Sequence, residues 1–232
     1  MSNKTVAKTR VGAIVVAAGS SLRMNGQDKI LISLGSKPVL AWSVVALQKS
    51  PLVDRIVLVN SQSNLKSVEC LVSDNKWNKV ARVCLGGKRR QDSVAAGLKA
   101  LDDCEWVIIH DGARPFLTQD LIKRGLEAAR ETGAAIAAVP VTDTIKLAGS
   151  DQIVIETPPR ANLWAVQTPQ IFRLSIIKGA YEQVVEDVTD DAMLVEQAGN
   201  KVKLFQGSYA NIKITTPQDL AIAEVLSKNY EQ

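Results

Sequence analysis

The chain has 232 residues, a formal net charge of +4, and apolar and charged fractions of 46% and 22%. These values fit one α/β domain over residues 1–232 and argue against a disordered chain. The charge is too small for this length to indicate a nucleic-acid-binding protein, but it permits an anionic small molecule as ligand. Three cysteines without metal-ligand spacing and a single histidine, His110, exclude a centre of His and Cys ligands and predict a reduced, cytoplasmic protein. No stretch of the sequence is long enough to predict a membrane span.

Short runs rich in Val and Ile alternate with amphipathic stretches through most of the sequence. The predicted strands are Val11–Val16, Arg55–Val59, Ala81–Leu85, Val107–His110 and Ala135–Val139. The predicted helices between them are Val39–Gln48, Leu65–Val72, Gln91–Ala100 and Gln119–Glu131. This alternation predicts an α/β, Rossmann-like fold, with a mostly parallel sheet and helices on both faces. Ligands of such sheets bind beyond the carboxyl ends of the strands.

A small-residue loop, Ala17-Ala18-Gly19, follows the first predicted strand, and the cations Arg23 and Lys29 lie just beyond it. Small residues let backbone N–H groups approach an anion, and the cations would neutralise a polyphosphate. The spacing fits neither a Walker A loop nor a dinucleotide fingerprint. On this segment alone, a phosphate loop of another kind and an ordinary turn with solvated cations are equally open.

Two further clusters follow later strands. Asp111, after the strand at residues 107–110, is suited to hold Mg²⁺ or a ligand hydroxyl, although it also fits a plain turn residue. Gly86-Gly87 forms a turn open to a base or ribose, and Ser93 is a candidate cap of the helix that follows. The basic run Lys88-Arg89-Arg90 is typical of a solvated turn.

Other candidate residues are ambiguous when each is taken alone. Lys213 fits an edge-strand position, Arg160 a surface charge, and Thr189-Asp190-Asp191 a helix cap. The sequence lacks a Gly-x-Ser-x-Gly elbow and offers no evident nucleophile–base pair. Cations and backbone donors around one acidic residue are instead the equipment of phosphoryl or nucleotidyl transfer.

Residues 142–160 interrupt the alternation of strands and helices. Two β-rich segments, 144–148 and 152–157, flank Gly149-Ser150-Asp151, which predicts a hairpin arm that ends at Pro158-Pro159. Either the arm is a surface excursion, or it reaches another subunit or covers the site. The elements predicted after the arm are strands at Leu163–Gln167, Lys201–Phe205 and Asn211–Ile214, helices at Leu174–Val185 and Asp191–Ala198, and a last helix capped by Thr216.

Taken together and in order, these motifs resemble the 2-C-methyl-D-erythritol 4-phosphate cytidylyltransferase family from about Val11 to Leu226. The motifs that carry the resemblance are Ala17–Met24, Gly86-Gly87 with Gln91–Val94, His110–Pro115, Val141–Lys146, Leu163–Gln170, Thr189-Asp190 and Asn211–Pro217. The resemblance implies an enzyme with a nucleotidyltransferase fold that condenses CTP with methylerythritol phosphate in the non-mevalonate isoprenoid pathway. Its products are a CDP-alcohol and pyrophosphate.

The resemblance also implies roles for single residues. The implied catalytic residues are Arg23, Lys29, Arg160 and Lys213. The implied nucleotide-binding residues are Ala17, Ala18, Gly19, Gly86, Ser93, Asp111, Gly112 and Thr168. The residues implied to bind methylerythritol phosphate are Asp111, Arg114, Thr144, Arg160, Thr189 and Lys213. Mg²⁺ is the implied cofactor, with Asp111 as its ligand, and the resemblance implies a homodimer that forms through the arm.

This sequence departs from the family pattern at two places. Asp28 stands before Lys29, where the family commonly has Pro, and Pro158-Pro159 precedes Arg160 in place of the usual Val-Asp. Two alternatives stay open. A ribitol or ribulose 5-phosphate cytidylyltransferase would share the fold and chemistry, and a non-catalytic nucleotide-binding protein would share the scaffold alone.

Overall fold

The computed structural model describes residues 9–19, 28–101, 103–183 and 188–230. Its strands are β1 (Val11–Ala17), β2 (Ser33–Leu34), β3 (Lys37–Pro38), β4 (Arg55–Asn60), β5 (Val80–Leu85), β6 (Trp106–Asp111), β7 (Ala134–Pro140), β8 (Leu147–Ala148), β9 (Val154–Glu156), β10 (Trp164–Arg173) and β11 (Lys203–Gln206). Its helices are α1 (Val39–Lys49), α2 (Leu65–Asp74), α3 (Arg90–Lys99), α4 (Gln119–Thr132), α5 (Leu174–Gln183), α6 (Asp191–Gln197) and α7 (Pro217–Ser227), with a 3-10 turn at Arg160–Asn162.

Within the described residues, seven strands form one mixed sheet in the order β11-β7-β10-β6-β1-β4-β5. Strand β1 lies parallel to both β4 and β6, and β5 and β11 extend the sheet in parallel at its two edges. Strand β10 is the exception, because it runs antiparallel to both β6 and β7. The prediction of a mostly parallel sheet is therefore confirmed. None of the helices in the described part of the chain combines the length and the apolar character of a membrane span.

Helices cover both faces of the sheet because the side chains of each strand alternate between them. Along β1, Val15 packs with Leu40 of α1 on one face, whereas its neighbour Ile14 packs with Val94 and Leu98 of α3 on the other. Burial of each such side chain contributes roughly 1.5–3 kcal/mol to the free energy of unfolding. This packing fixes the first turn of α3 beside the end of β1.

Two predicted strands differ from the structure. Strand β10 runs for ten residues and continues past the end of the predicted strand, Leu163–Gln167. Its ladder with β7 shifts register between Val166 and Gln170. Pro169 falls within that irregularity, where its missing N–H costs no ladder hydrogen bond. The segment Asn211–Ile214 is not a strand. Its backbone is held by loops and side chains, as in the hydrogen bond from the Ile214 N–H to the carbonyl of Ala113 (2.8 Å).

The predicted arm forms a hairpin in which β8 and β9 pair antiparallel. Its apolar side chains are exposed, with Ile153 and Ile155 at 67% and 68% of their full accessible area. The predicted cap of the last helix is also present, since the Thr216 hydroxyl accepts a hydrogen bond from the Asp219 N–H (3.3 Å). Helix α5 reaches Gln183, and residues 184–185 of its predicted range lie outside the described residues.

Candidate active site

The carboxyl ends of β1, β4, β5 and β6 meet at one edge of the sheet around a cavity of about 720 Å³. Seven residues with a role implied by the resemblance line this first cavity: Ala17, Ala18, Gly19, Lys29, Ser93, Asp111 and Lys213. The loop after β4, Ser61 to Ser63, also lines it and was not predicted. The position beyond the strand ends agrees with the general location of ligands in α/β sheets.

A second cavity of about 540 Å³ adjoins the first. Its lining includes the predicted residues Asp111, Arg114, Thr168, Thr189 and Lys213. Arg90, Asp111 and Lys213 line both cavities. Ligands in the two cavities would therefore meet at these three side chains.

Asp111 ends β6 at this junction, and its side chain is surrounded by cations. One carboxylate oxygen, Oδ2, lies 2.8 Å from Lys213 Nζ and 3.9 Å from Arg114 Nε, and Oδ1 lies 3.2 Å from Arg90 Nε. Burial alone would raise the pKa of Asp111, but Arg90, Lys213 and Arg114 outweigh it and hold that pKa well below its usual range. The carboxylate is therefore ionised throughout the neutral pH range.

His110 and Thr168 fix the backbone of Asp111 through a chain of hydrogen bonds. The Nε2 atom of His110 lies 3.0 Å from the Arg114 carbonyl, which can only accept, so Nε2 carries the hydrogen. Nδ1 then accepts from the Thr168 hydroxyl (3.1 Å), and the oxygen of that hydroxyl accepts from the Asp111 N–H (3.0 Å). Burial lowers the pKa of His110 to about 4, so the ring is neutral at pH 7. Because the Thr168 hydrogen is used internally, this hydroxyl is left to accept, not donate, when a ligand binds.

Asn211 positions Lys213 although its segment is not a strand. The fully buried Asn211 side chain donates to the Thr168 carbonyl (2.8 Å), and Arg114 Nη1 donates to the Asn211 carbonyl (2.7 Å). The segment 211–213 is thereby tied to β10 and to the loop after β6. This connection brings Lys213 to Asp111 across 102 residues of sequence.

Arg90 and Asp191 are two charged residues of the site that sequence reasoning missed. The Arg90 side chain keeps only 27% of its accessible area, and it bridges Asp111 and Asp191, with Nη1 2.6 Å from Asp191 Oδ2. The prediction of a solvated turn at Arg90 is therefore wrong. Asp190 caps α6 as predicted, since it accepts from the Met193 N–H (3.0 Å), but Asp191 is buried and also accepts from the Tyr181 hydroxyl (2.7 Å).

Comparison with known proteins identifies the family. The family model of IspD, 2-C-methyl-D-erythritol 4-phosphate cytidylyltransferase, matches residues 11–229. The chain belongs to this family. A 2-C-methyl-D-erythritol 4-phosphate cytidylyltransferase of Dehalococcoides mccartyi (strain ATCC BAA-2266 / KCTC 15142 / 195) is 54% identical over 94% of this chain and 96% of its own. One of Caldanaerobacter subterraneus subsp. tengcongensis is 44% identical over 93% and 97%.

Solved structures agree with this assignment. The crystal structure of 4-diphosphocytidyl-2C-methyl-D-erythritol synthase from Anaerococcus prevotii is similar, with a TM-score of 0.84, 33% identity, and coverage of 95% of this chain and 99% of its own. The 2-C-methyl-D-erythritol 4-phosphate cytidylyltransferase of Thermus thermophilus matches with a TM-score of 0.77, 30% identity, and coverage of 95% and 100%. The predicted fold and family are confirmed.

In this IspD family member, the glycine turn after β5 packs tightly against the first loop. A Cβ on Gly86 would stand 2.5 Å from both Ala18 Cβ and Ser93 Oγ, so this position needs glycine. Gly87 lines the first cavity, and its N–H donates to Ser93 Oγ (3.2 Å). Ser93 is not the cap of α3, because the helix already begins at Arg90.

Gly112 faces the interior, and its neighbour Ala113 lines the first cavity. The Gly112 N–H donates to the Val16 carbonyl (2.8 Å), and an added Cβ would stand 3.0 Å from Leu40 Cδ1. Gly112 itself is not among the described residues that line either cavity.

The remaining candidates lie apart from the two cavities or outside the described residues. Arg23 is outside the described residues. Thr144 and Arg160 belong to the exposed arm, where Arg160 Nη1 donates to the Thr142 carbonyl (2.6 Å), and neither is among the described residues that line the cavities.

Asp28, which replaces the usual proline before Lys29, stabilises the local turn. Its carboxylate accepts from the Asn64 amide (2.8 Å) and from the Ile30 N–H (3.3 Å). The same amide donates to the Ala17 carbonyl (3.2 Å). Asp28 therefore connects the Lys29 turn to the end of β1.

The described residues contain no cluster of three or more His, Cys, Asp or Glu side chains that could hold a metal ion. Mg²⁺ is often bound by one or two carboxylates together with substrate phosphates, and it keeps several waters. A single carboxylate at the junction, Asp111, fits that mode of binding. It does not fit an all-protein metal site.

Proposed function

We propose that this chain carries out its family's reaction at the junction of the two cavities. The reaction transfers CMP from CTP to 2-C-methyl-D-erythritol 4-phosphate. It yields 4-diphosphocytidyl-2-C-methyl-D-erythritol and pyrophosphate, in the non-mevalonate isoprenoid pathway. The observation that carries the proposal is the shared wall of Arg90, Asp111 and Lys213. A reaction between two phosphates needs two adjoining sites with cations where they meet.

CTP occupies the first cavity in this proposal. The volume of this cavity lies within the range usual for small-molecule sites. The triphosphate lies along Ala17-Ala18-Gly19 and Lys29, where small residues let backbone donors come close. The base and ribose lie toward Gly87 and Ser93, where backbone groups favour the compact cytosine over a purine.

Methylerythritol phosphate occupies the second cavity. The ionised Asp111 carboxylate accepts hydrogen bonds from the polyol hydroxyls, and Arg114 and Lys213 attract the phosphate. Thr189 lies on the same wall, and Val166 and Met193 add apolar surface for the methyl-bearing carbon. This mixed lining suits a branched polyol phosphate.

The chemistry is an in-line displacement at phosphorus. An oxygen of the methylerythritol phosphate attacks the α-phosphorus of CTP, a new P–O bond forms, and the bond to the pyrophosphate leaving group breaks. Arg23 and Lys29 neutralise the charge that gathers on the five-coordinate phosphorus. Lys213 holds the attacking phosphate, so the two anions can approach each other.

Mg²⁺ is the proposed cofactor, held by the CTP phosphates together with Asp111. When bound, it would neutralise the triphosphate charge and favour departure of pyrophosphate. The side chains at the junction bind and orient the two substrates around it.

A cytoplasmic homodimer is the proposed assembly. The arm exposes Leu147, Ile153 and Ile155, at 50%, 67% and 68% of their full accessible area, and a partner would cover these side chains. In this assembly the arm crosses to the partner and adds Thr144 and Arg160 to the partner's second cavity. This would give a role to both residues, since neither lines the cavities among the described residues of one chain.

The direct test is pyrophosphate release by the purified chain with Mg²⁺ and CTP. Methylerythritol 4-phosphate and ribitol 5-phosphate are supplied in parallel, with an acceptor-free reaction as control. Release with methylerythritol phosphate alone is the expected result. Release with ribitol phosphate alone would assign a different acceptor. If folded protein that binds CTP released no pyrophosphate with either acceptor, the result would support the non-catalytic alternative.

A further inference from the structure

We infer that Arg90 is a further substrate-binding cation of this reaction, and that Asp191 and Tyr181 form a buried support that holds it at the junction of the two cavities. The inference rests on the proposed function and adds to it. Arg90 begins α3, which packs on the sheet, so its backbone is fixed beside the strand ends. Its side chain lines both cavities.

The Arg90 guanidinium contacts two carboxylates and still has N–H groups that can donate to a ligand. Nε lies 3.2 Å from Asp111 and Nη1 lies 2.6 Å from Asp191. Among the described residues, Nη2 has no protein partner, and the side chain remains partly exposed. A planar guanidinium fork suits a phosphate better than a point charge does. Because Arg90 lines both cavities, its remaining donors would meet the acceptor phosphate as it approaches CTP.

Asp191 and Tyr181 explain why Arg90 stays in this position. Asp191 is 1% exposed, and its two oxygens have different partners, Arg90 on Oδ2 and the Tyr181 hydroxyl on Oδ1 at 2.7 Å. Burial, together with Asp191, raises the pKa of Tyr181, so its hydroxyl keeps its proton and acts as a donor. The chain of contacts runs from the buried face of α5 through α6 to the cavity wall.

Asp191 also limits the contact between Arg90 and Asp111. Three cations, Arg90, Arg114 and Lys213, face it, and Asp191 draws Arg90 partly away. Without the Asp191 charge, Arg90 would turn fully onto Asp111 and occupy the oxygens that accept from the polyol. The first loop and Lys29 would still hold CTP in the first cavity, so loss of the support should impair use of the acceptor far more than binding of CTP.

The test compares Asp191→Asn, Tyr181→Phe and Arg90→Lys with two control variants. Asp120→Asn removes a carboxylate from an exposed pair with Arg124, and Tyr230→Phe removes a hydroxyl from a ring that stacks on Phe116. Steady-state kinetics give kcat and KM for each substrate, and calorimetry gives the affinity of each substrate separately. Thermal unfolding checks the fold.

For Asp191→Asn and Tyr181→Phe we expect kcat/KM for methylerythritol phosphate to fall about tenfold, with KM for CTP changed by less than about twofold. Arg90→Lys should lower kcat/KM for methylerythritol phosphate further, by about a hundredfold. An ammonium group cannot contact both carboxylates and the phosphate at once. The controls should keep wild-type kinetics.

Two results would overturn the inference. Wild-type kinetics with the acceptor in Asp191→Asn and Tyr181→Phe would show that these residues do not support Arg90. An equal loss of kcat/KM for CTP and for the acceptor would show that they act only in folding. A wild-type chain without turnover would instead refute the proposed function. Calorimetry would then still decide whether the variants bind the acceptor phosphate more weakly than the wild type.

Discussion

At the scale of single residues, the proposed function depends on charges placed at the junction of the two cavities rather than on a nucleophilic side chain. Asp111 is ionised because three cations surround it, and His110 is neutral because it is fully buried. The structure therefore assigns opposite tasks to neighbouring residues of one strand. Asp111 lines both cavities, and His110 holds the loop that carries Arg114.

Lys29 provides the sharpest test at this scale. Lys29→Ala should lower kcat by about 10²–10³-fold, since the charge it neutralises is largest in the transition state. CTP binding should weaken only modestly, because the backbone donors of the first loop remain. Steady-state kinetics and calorimetry with CTP measure the two effects separately, with Lys49→Ala on α1 as the control. Unchanged turnover would remove Lys29 from the mechanism.

The lowered pKa of His110 leads to a prediction of how the stability of the fold depends on pH. Its folded pKa, about 4, lies below the usual value of about 6.5, so protons bind more tightly to the unfolded chain. The resulting stability is fully present above pH 6.5 and is lost as the pH falls toward 4. We expect the histidine contribution to the free energy of unfolding to drop by about 2 kcal/mol between pH 7 and pH 5.

Because the sequence contains one histidine, its NMR signal can be followed without ambiguity. The His110 ring resonance should stay in its neutral form from pH 7 to pH 5, while denaturant unfolding at both pH values measures the change in stability. His110→Gln serves as the control that lacks this titration. A resonance that titrates near pH 6.5 would contradict the assignment.

At the scale of secondary structure, the sequence was informative wherever hydrophobic periodicity decides the element. The strands at the centre of the sheet and helices α1 to α4 were predicted because alternation and amphipathic spacing are local properties. The segment Asn211–Ile214 was mispredicted because its conformation depends on the distant partners Thr168 and Arg114. Arg90 was missed for the same reason, since its partner Asp191 lies 101 residues away.

The packing of α3 on β1 positions Arg90, and Gly97 tests it. A Cβ at Gly97 would stand 2.6 Å from Ile14 Cγ2, and Ile14 is a fully buried, branched side chain with little freedom to move. Gly97→Ala should therefore lower the free energy of unfolding by about 1–3 kcal/mol through overpacking.

Gly179→Ala is the matched control for this packing. Gly179 lies in α5, and nothing stands within 4 Å of an added Cβ, so the helix propensity of alanine should stabilise the protein by up to about 1 kcal/mol. Denaturant unfolding measures both variants. Equal effects of the two substitutions would show that α3 does not pack as closely on β1 as the structure indicates.

At the scale of the whole molecule, the proposed homodimer would link the arm to catalysis. Arg160 and Thr144 lie on the exposed arm, while Lys29 lines the first cavity of the same chain. If the arm completes the partner's site, each active site draws Lys29 from one chain and Arg160 from the other. Two variants with different defects can then complement each other.

A purified heterodimer of one Lys29→Ala chain and one Arg160→Ala chain, separated by two affinity tags, tests this arrangement. One of its two sites would contain both intact residues, so we expect about half the activity of a wild-type dimer. Each homodimer should be nearly inactive, because every one of its sites lacks the same residue. If the arm contributed to the site of its own chain, no site of the heterodimer would hold both Lys29 and Arg160. The heterodimer would then be as inactive as the two homodimers. Pyrophosphate release by the three dimers, with light scattering to confirm their size, therefore separates an arm that acts on the partner from one that does not.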